Sequence, residues 1–203
     1  MIAIVDYGVG NLFSLKSSLD FLGLNNTVTG DADTLRKADR IILPGVGAFA
    51  DAAKSLEDCG LAQVVCDEAR GGKPLMGICL GMQLLFDRSF EYGEHKGLGL
   101  IKGDVVPISD AVDDSYKIPQ IGWNPLHFRG GKDRIFKYIN EGDCVYFVHS
   151  YYAANCDDSV IAAADYGVPL TAAVARGNIY GCQFHPEKSG AVGLNILRAF
   201  GEI

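Results

Sequence analysis

A cysteine lies between two glycines where an apolar strand is predicted to turn into a helix. The segment Gly77-Ile78-Cys79-Leu80-Gly81 joins the apolar run 74–78 to a second apolar run, 80–86. A sharp turn of this kind lifts a side chain out of the sheet, and the flanking glycines permit it because a Cβ atom there would crowd the turn. The start of the following helix favours the thiolate, the reactive form of cysteine. We therefore predict that Cys79 is a nucleophile; the alternative is a buried cysteine at a tight turn.

A cysteine that attacks an amide needs a base that holds its proton and returns it to the leaving nitrogen. His185 directly follows a predicted strand, 179–184, and is succeeded by Pro186 and Glu187. Residues two apart in an extended chain project to the same side, and Pro186 favours extended backbone at His185. A carboxylate on one ring nitrogen leaves the other free to face the thiol. We predict that Cys79, His185 and Glu187 form a catalytic triad; the alternative is an exposed His-Pro-Glu turn.

The other three histidines fit a catalytic base less well. His95 lies in a polar, glycine-flanked stretch, which predicts a solvated loop. His127 lies in an irregular region with no carboxylate nearby in the sequence. His149 ends an apolar predicted strand, 143–149, which also suits a buried residue at a strand end.

Attack on an amide creates a negative oxygen that fixed N–H donors must stabilise. The backbone N–H of Leu80, next to the nucleophile, is one candidate. The others are Gly45, Val46 and Gly47, which follow a parallel strand and so lie at the same edge of the sheet. A glycine-rich turn before a helix would also explain them, whereas a phosphate loop is disfavoured because no G-K-[ST] or G-x-G-x-x-G continuation follows.

The elements that must position these residues alternate between strands and helices in the first half of the chain. Apolar runs predict strands at 2–6, 26–29, 40–43 and 74–78, and helices at 12–22, 49–70 (broken at Gly60) and 80–86. In the second half, strands at 143–149, 160–165, 170–176 and 179–184 are separated by short turns, and a helix follows at 192–200. We predict one α/β domain over residues 1–203, with an open, mostly parallel sheet, helices on both faces and antiparallel hairpins near the C-terminus.

Composition and charge exclude several classes of function. The net charge of −7, without a run of Lys and Arg, argues against binding to nucleic acid or a membrane surface. The longest apolar stretch, 74–86, falls short of the roughly 20 residues that span a bilayer. The N-terminus lacks a basic leader, so we expect a cytoplasmic protein. The six cysteines lack metal-ligand spacing, so we expect no metal or cofactor. We expect the five cysteines other than Cys79 to be buried or partly buried apolar side chains.

Seven blocks in order give the chain a family resemblance over nearly its whole length. They are IVDYGVGNL (4–12), LPGVGAF (43–49), GICLGMQLLF (77–86), GLGL (97–100), IGWN (121–124), YFVHSYY (146–152) and QFHPEKS (183–189). Together they resemble the class I (triad) glutamine amidotransferases, and within them the glutaminase subunits of imidazole glycerol phosphate synthases. Gln120 and the polar stretch 87–94 match poorly.

The resemblance implies a function and a partner. The triad would release ammonia from glutamine, and a separate (β/α)8-barrel cyclase would receive it through a channel and use it in histidine biosynthesis. The segment 44–47 would switch the glutaminase on when the acceptor nucleotide binds. The residues implied to bind the α-substituents of glutamine are Gln83, His149, Ser150 and Tyr151, and the candidates for the cyclase interface are Asn11, Trp123 and Lys188.

Two other functions compete with this interpretation. A glutaminase subunit of another synthase, such as one that forms pyridoxal phosphate, would share the triad, but the 44–47 and Trp123 blocks argue against it. A non-catalytic flavodoxin-like binding module would carry Cys79 as a structural residue. These residues leave no segment over for an acceptor site, so we expect the synthase to be another polypeptide.

Overall fold

The computed structural model describes residues 1–203 and contains fourteen strands and six α-helices. The strands are β1 (Ile2–Val5), β2 (Asn26–Thr29), β3 (Arg40–Gly45), β4 (Leu75–Cys79), β5 (Arg88–Ser89), β6 (His95–Lys96), β7 (Asp104–Pro107), β8 (Gln120–Pro125), β9 (His127–Phe128), β10 (Cys144–His149), β11 (Tyr151–Ala154), β12 (Val160–Tyr166), β13 (Val168–Arg176) and β14 (Ile179–Cys182). The helices are α1 (Leu12–Phe21), α2 (Ala32–Lys37), α3 (Phe49–Asp58), α4 (Leu61–Arg70), α5 (Leu80–Gln83) and α6 (Gly190–Gly201).

The main sheet has eight strands in the order β2-β1-β3-β4-β14-β13-β12-β9. The five strands from β2 to β14 pair in parallel, and the remaining three extend the sheet in antiparallel fashion. The predicted turn Arg176-Gly177-Asn178 joins β13 to β14. The prediction of an open, mostly parallel sheet with antiparallel C-terminal hairpins is therefore confirmed.

Both faces of the main sheet are covered, because successive residues of a strand point to opposite sides. In β1, Ala3 and Val5 join a core cluster with residues of α2, α3 and α4, whereas Ile2 and Ile4 join a second cluster with residues of α1 and α6. Helices therefore lie on both faces, as predicted. No helix combines the length and the apolar character needed to cross a membrane.

Several boundaries differ from the predictions. Helix α5 ends at Gln83 rather than at residue 86, because the backbone carbonyls of Leu84, Leu85 and Phe86 accept hydrogen bonds from the segment 98–101. Strand β14 ends at Cys182 rather than at residue 184. Helix α2 was not predicted, although Asp31 caps it by accepting a hydrogen bond from the Thr34 N–H.

Two smaller sheets contain every strand between α5 and β10 except β9, which belongs to the main sheet. Strand β10 pairs with β8 in a two-stranded antiparallel sheet, and β11, β7, β5 and β6 form a four-stranded one. The predicted strand 143–149 therefore exists, but it lies outside the sheet that holds the other C-terminal hairpins. Its last residue, His149, leads directly into β11 through Ser150. These two residues thus lie at the junction of the two smaller sheets.

Candidate active site

Cys79 occupies a strained turn between β4 and α5. Its backbone has φ 55° and ψ −113°, a region that residues other than glycine avoid. The flanking glycines make the turn possible: a Cβ atom on Gly77 would lie 2.6 Å from the Gly81 carbonyl oxygen, and one on Gly81 would overlap the Leu43 carbonyl oxygen. Only 7% of Cys79 is exposed, within a pocket of about 330 Å³. This geometry is that of a nucleophile elbow, as predicted from the sequence.

Three neighbouring strands, β3, β4 and β14, end next to this pocket. In the parallel register, Gly45 of β3 lies beside Cys79 of β4, and Cys182 of β14 lies beside Ile78 on the other side of β4. The chain that follows β14 therefore passes directly next to Cys79. Parallel strands end at the same edge of a sheet, where ligands bind in open α/β folds.

His185 and Glu187 form a buried pair beside Cys79. The His185 Nδ1 lies 2.8 Å from the Glu187 Oε1, and the two side chains are 4% and 3% exposed. The His185 backbone N–H donates to the Tyr146 carbonyl, which fixes this segment against β10. His185 and Cys79 line the same pocket. The structure therefore brings together the three residues that the sequence analysis selected as a triad.

The surroundings of His185 favour its charged form. Burial alone would lower its pKa, but interactions with the side chains of Cys79 and Glu187 outweigh burial and raise the pKa to about 9. The unfolded value is about 6.5. Since the folded value is the higher one, the contribution of His185 to stability is fully present below about pH 6.5 and is lost as the pH rises through about 9.

We expect the His185 ring to keep its proton until the pH approaches 9, measured by NMR titration of the ring signals. The variants Cys79→Ala and Glu187→Gln each remove a group that raises this pKa, so each is expected to lower the titration midpoint. His149 is an internal control, because burial lowers its pKa to about 4 and its ring stays neutral over the same range. A wild-type His185 that titrates below pH 7 would contradict this description.

The predicted oxyanion residues divide between two cavities. Val46, Gly47 and Leu80 line the main pocket with Cys79, whereas Gly45 lines a small cavity of about 10 Å³ behind it, next to Glu187. The Tyr7 hydroxyl donates to the Pro44 carbonyl at 2.7 Å, so the start of this loop is fixed. Gly47 has φ 94°, which a residue with a side chain would disfavour. The loop therefore approaches Cys79 as expected, and its role as a donor remains a prediction.

Gln83, His149, Ser150 and Tyr151 line one wall of the pocket. The Tyr151 carbonyl accepts from the Gln83 Nε2 at 3.0 Å and lies 2.8 Å from the His149 Nδ1. A carbonyl oxygen can only accept, so the neutral His149 ring carries its proton on Nδ1 and a lone pair on Nε2. That Nε2 is buried without a protein partner. This nitrogen is therefore an unpaired acceptor inside the protein.

Glu91 is a pocket residue that the sequence analysis missed. It lies in the polar stretch 87–94, and its Oε2 accepts from the Phe49 backbone N–H at 2.5 Å, at the start of α3. It lines the pocket together with His185 and Tyr151, and the pKa of the Tyr151 hydroxyl is raised first by burial and then by the charge of Glu91. Nothing in the local sequence marks this residue, because only the fold brings residues 49, 79 and 91 together.

The candidate interface residues differ in their relation to the pocket. Lys188 lines it, and the Lys188 Nζ lies 5.9 Å from the centre of the Tyr146 ring. Trp123 is 54% exposed and contacts the same tyrosine ring edge-on at 6.0 Å. Asn11 lines the small cavity behind the loop, next to His185 and Glu187. Lys188 and Trp123 therefore flank the same tyrosine ring, whereas Asn11 lies at the second cavity, and the role of all three in an interface remains a prediction.

Two expectations about other residues were wrong. Cys59 and Cys144 are exposed, whereas Cys66, Cys156 and Cys182 are buried as expected, and all six cysteines are free thiols. His127 was expected in an irregular region, but it lies in β9, and its ring nitrogens are 3.1 Å from Glu141 and 3.7 Å from Asp165, two carboxylates that are distant in the sequence. Neighbours that are distant in the sequence could not be seen from the local pattern.

Comparison with known proteins agrees with this geometry. Residues 3–201 match the family described as glutamine amidotransferase class-I. Among curated relatives, imidazole glycerol phosphate synthase subunit HisH of Lacticaseibacillus casei (strain BL23) is 49% identical, covering 100% of this chain and 96% of the relative. The subunit of the same name from Wolinella succinogenes is 45% identical, with 100% of both chains covered.

Solved structures show the same fold at lower identity. A glutamine amidotransferase crystal structure has a TM-score of 0.77 and 20% identity, covering 100% of this chain and 98% of the other. PurLQS from Thermotoga maritima has a TM-score of 0.74 and 23% identity, covering 98% and 96%. The profile match, the full-length relatives and the shared fold agree: the chain belongs to the class-I glutamine amidotransferase family.

Proposed function

We propose that residues 1–203 form a single domain that hydrolyses glutamine to glutamate and ammonia, as the glutaminase subunit of an imidazole glycerol phosphate synthase in the cytoplasm. The observation that carries the chemistry is the buried His185–Glu187 pair, which lies in the same pocket as Cys79 at its strained turn. The choice of synthase is supported by the full-length relatives of that name at 45–49% identity. The acidic net charge of −7 accords with a small-molecule substrate.

The reaction starts with attack of the Cys79 sulfur on the side-chain amide carbon of glutamine. The C–N bond breaks when the charged His185 gives its proton to the leaving nitrogen, which departs as ammonia and leaves a thioester on Cys79. Water then attacks the thioester, His185 takes up the proton, and glutamate is released. Glu187 holds the ring by its Nδ1, so that Nε2 faces the sulfur.

The negative oxygen formed in each step needs donors at the turn that carries Cys79. We assign this role to the backbone N–H of Leu80 and to the loop formed by Gly45, Val46 and Gly47. The parallel register places the loop beside Cys79, and the Tyr7–Pro44 hydrogen bond anchors its first peptide. Reorientation is then confined to the peptides after Pro44, which makes this loop the candidate switch.

The pocket offers complementary groups to the charged end of glutamine. One Glu91 oxygen is occupied by the Phe49 N–H, which leaves the other for the substrate ammonium. Both N–H groups of Gln83 are occupied by protein acceptors, so its carbonyl oxygen is available to the ligand. Ser150, Tyr151 and His149 line the pocket on the side where the substrate carboxylate would lie.

The ammonia needs a protected route to its acceptor. In neutral water it would become ammonium, which is not a nucleophile, so a free glutaminase would waste its product. We propose that a (β/α)8-barrel cyclase covers the pocket rim, with Asn11, Trp123 and Lys188 at the interface. The exposure of Trp123 and the neighbouring Ile121, at 54% and 61%, gives this rim the apolar surface that an interface requires.

We expect the chain to co-purify with its cyclase and to hydrolyse glutamine rapidly only in the complex, in the presence of the acceptor nucleotide. Glutamate release is the measurement, taken for the isolated chain, for the complex and for the complex with nucleotide. Full activity of the isolated chain would refute the coupling to a partner. No glutamate from the complete system would refute the proposed function.

A further inference from the structure

Gln183 is a fully buried amide that the triad leaves unexplained. It follows β14, two residues before His185, and its side chain has no solvent exposure. Its backbone N–H donates to the Ala172 carbonyl, so the main chain alone accounts for its place in the sheet. A buried side-chain amide is costly unless each polar group finds a partner. The partners of this amide therefore indicate what it does.

The orientation of the Gln183 amide is fixed by a backbone carbonyl. The Tyr151 carbonyl can only accept, so the Gln83 atom that lies 3.0 Å from it must be the amino nitrogen. The same Gln83 nitrogen lies 3.0 Å from the Gln183 side chain, which must therefore present its oxygen. The Gln183 amino group then has to point the other way.

The Gln183 amino group points toward the Cys79 sulfur. The Gln183 Nε2 lies 3.8 Å from the Cys79 Sγ, within hydrogen-bonding range for the larger sulfur atom. The strand register explains this approach, because Cys182 pairs with Ile78 and the next residue on each strand lies beside the other. An N–H aimed at sulfur favours the thiolate over the thiol.

We propose that Gln183 is a positioning residue that holds the Cys79 sulfur through an N–H···S hydrogen bond and links it to Gln83 in the pocket wall. The inference rests on the proposed function, since it assigns Gln183 a part in the same glutamine hydrolysis. Gln183 does not line the pocket. Its effect on turnover is therefore exerted through the sulfur, whereas Gln83 meets the substrate.

The test compares Gln183→Met with Gln83→Met, two changes of similar volume that act on opposite ends of the linked pair. The measurements are the pH profile of Cys79 alkylation by iodoacetamide, and kcat and KM for glutamine in the cyclase complex. We expect Gln183→Met to move the alkylation profile up by about one pH unit and to lower kcat about 10- to 100-fold. Gln83→Met is expected to act mainly on KM and to move the alkylation profile less than Gln183→Met does, because the Gln183 amino group is still present beside the sulfur.

Thr171→Val is the matched control, because it also replaces a buried polar side chain by an apolar one, on the neighbouring strand β13 and away from the pocket. It is expected to change neither the alkylation profile nor kcat. A measurement on the wild type keeps the test independent of how Gln183→Met folds. The side-chain N–H signals of Gln183 are expected to shift as Cys79 titrates, and not to shift over the same pH range in Cys79→Ala.

Two results would overturn the inference. One is an alkylation profile for Gln183→Met that matches the wild type, even if kcat falls, since that describes a packing role. The other is a set of Gln183 N–H signals that does not respond to the titration of Cys79. Glutamine hydrolysis by the wild-type complex distinguishes a failure of this inference from a failure of the proposed function. If the complex hydrolyses glutamine, only the role of Gln183 is refuted. If it does not, the proposed function itself is refuted.

Discussion

In complex with the cyclase, the Cys79→Ala variant is expected to lose glutamine-dependent synthesis by at least about 10⁴-fold, because removal of a covalent nucleophile leaves only binding and the oxyanion donors. The same complex is expected to keep its synthesis from added ammonium. That step takes place on the partner and needs only the ammonia that Cys79 would have released. Product formation from glutamine and from ammonium, measured side by side, checks both the expected loss and the expected retention of synthesis.

Cys66→Ala is the matched control for this prediction. Cys66 is as buried as Cys79, at 6% against 7% exposure, but it lies in α4, where alanine is the best helix former. This variant is expected to retain both activities within about twofold, because the thiol lies outside the pocket. Glutamine-dependent turnover that persists in Cys79→Ala would show that the assignment of the nucleophile is wrong.

The Gly81→Ala variant is expected to lose at least about 3 kcal/mol of its free energy of unfolding. The new Cβ atom would overlap the Leu43 carbonyl oxygen and lie 2.8 Å from the carbonyl carbon, and both atoms belong to the backbone of β3. A backbone in the middle of a parallel sheet cannot move aside as a flexible side chain can. Relief of the overlap requires α5 to separate from β3, which displaces Cys79 as well.

Urea denaturation of Gly81→Ala and Gly71→Ala gives the comparison. Gly71 has φ −69° at the end of α4, and a Cβ atom there would lie 3.2 Å from the Asp67 carbonyl oxygen, a tight contact that small shifts relieve. We expect its unfolding midpoint to change by the equivalent of about 1 kcal/mol or less. If Gly81→Ala unfolds at the same urea concentration as the wild type, the close packing of the turn against β3 is incorrect.

The grouping of Cys79, His185 and Glu187 could be predicted because its features are local. The glycines on each side of Cys79 encode the turn, and the two-residue spacing of His185 and Glu187 encodes their contact. Cys79 and the His185–Glu187 pair also each lie at the end of a recognisable apolar strand, and parallel strands end at the same edge of a sheet. The only non-local step was that the two strands are neighbours, which the pairing of β14 with β4 confirmed.

Glu91 and Gln183 could not be selected in this way, because their partners are distant along the chain. Glu91 meets Phe49 across 42 residues, and Gln183 meets Cys79 across 104. A lone carboxylate in a polar stretch and a lone amide near a strand end match many ordinary positions. Their meaning depends on which atoms face them, and that is decided by tertiary packing.

Strands could be predicted from local sequence, but the strands with which they pair could not. The apolar run that became β10 was recognised as a strand, but its antiparallel partner is β8, whose pattern is broken by Gly122 and Pro125. Local propensity selects the extended conformation, whereas the choice of partner depends on which edges remain free after the main sheet forms. The segment between α5 and β10 was accordingly the least predictable part of the fold.

The place of β4 between β3 and β14 has a consequence for protein synthesis. A chain that stops after β13 contains Cys79 but lacks β14, which pairs with β4, and also lacks His185 and Glu187, which follow β14. The nucleophile is therefore synthesised about a hundred residues before its base, since Gln183, two residues before His185, is 104 residues from Cys79. Because a domain folds as a unit, we expect incomplete chains to lack glutaminase activity.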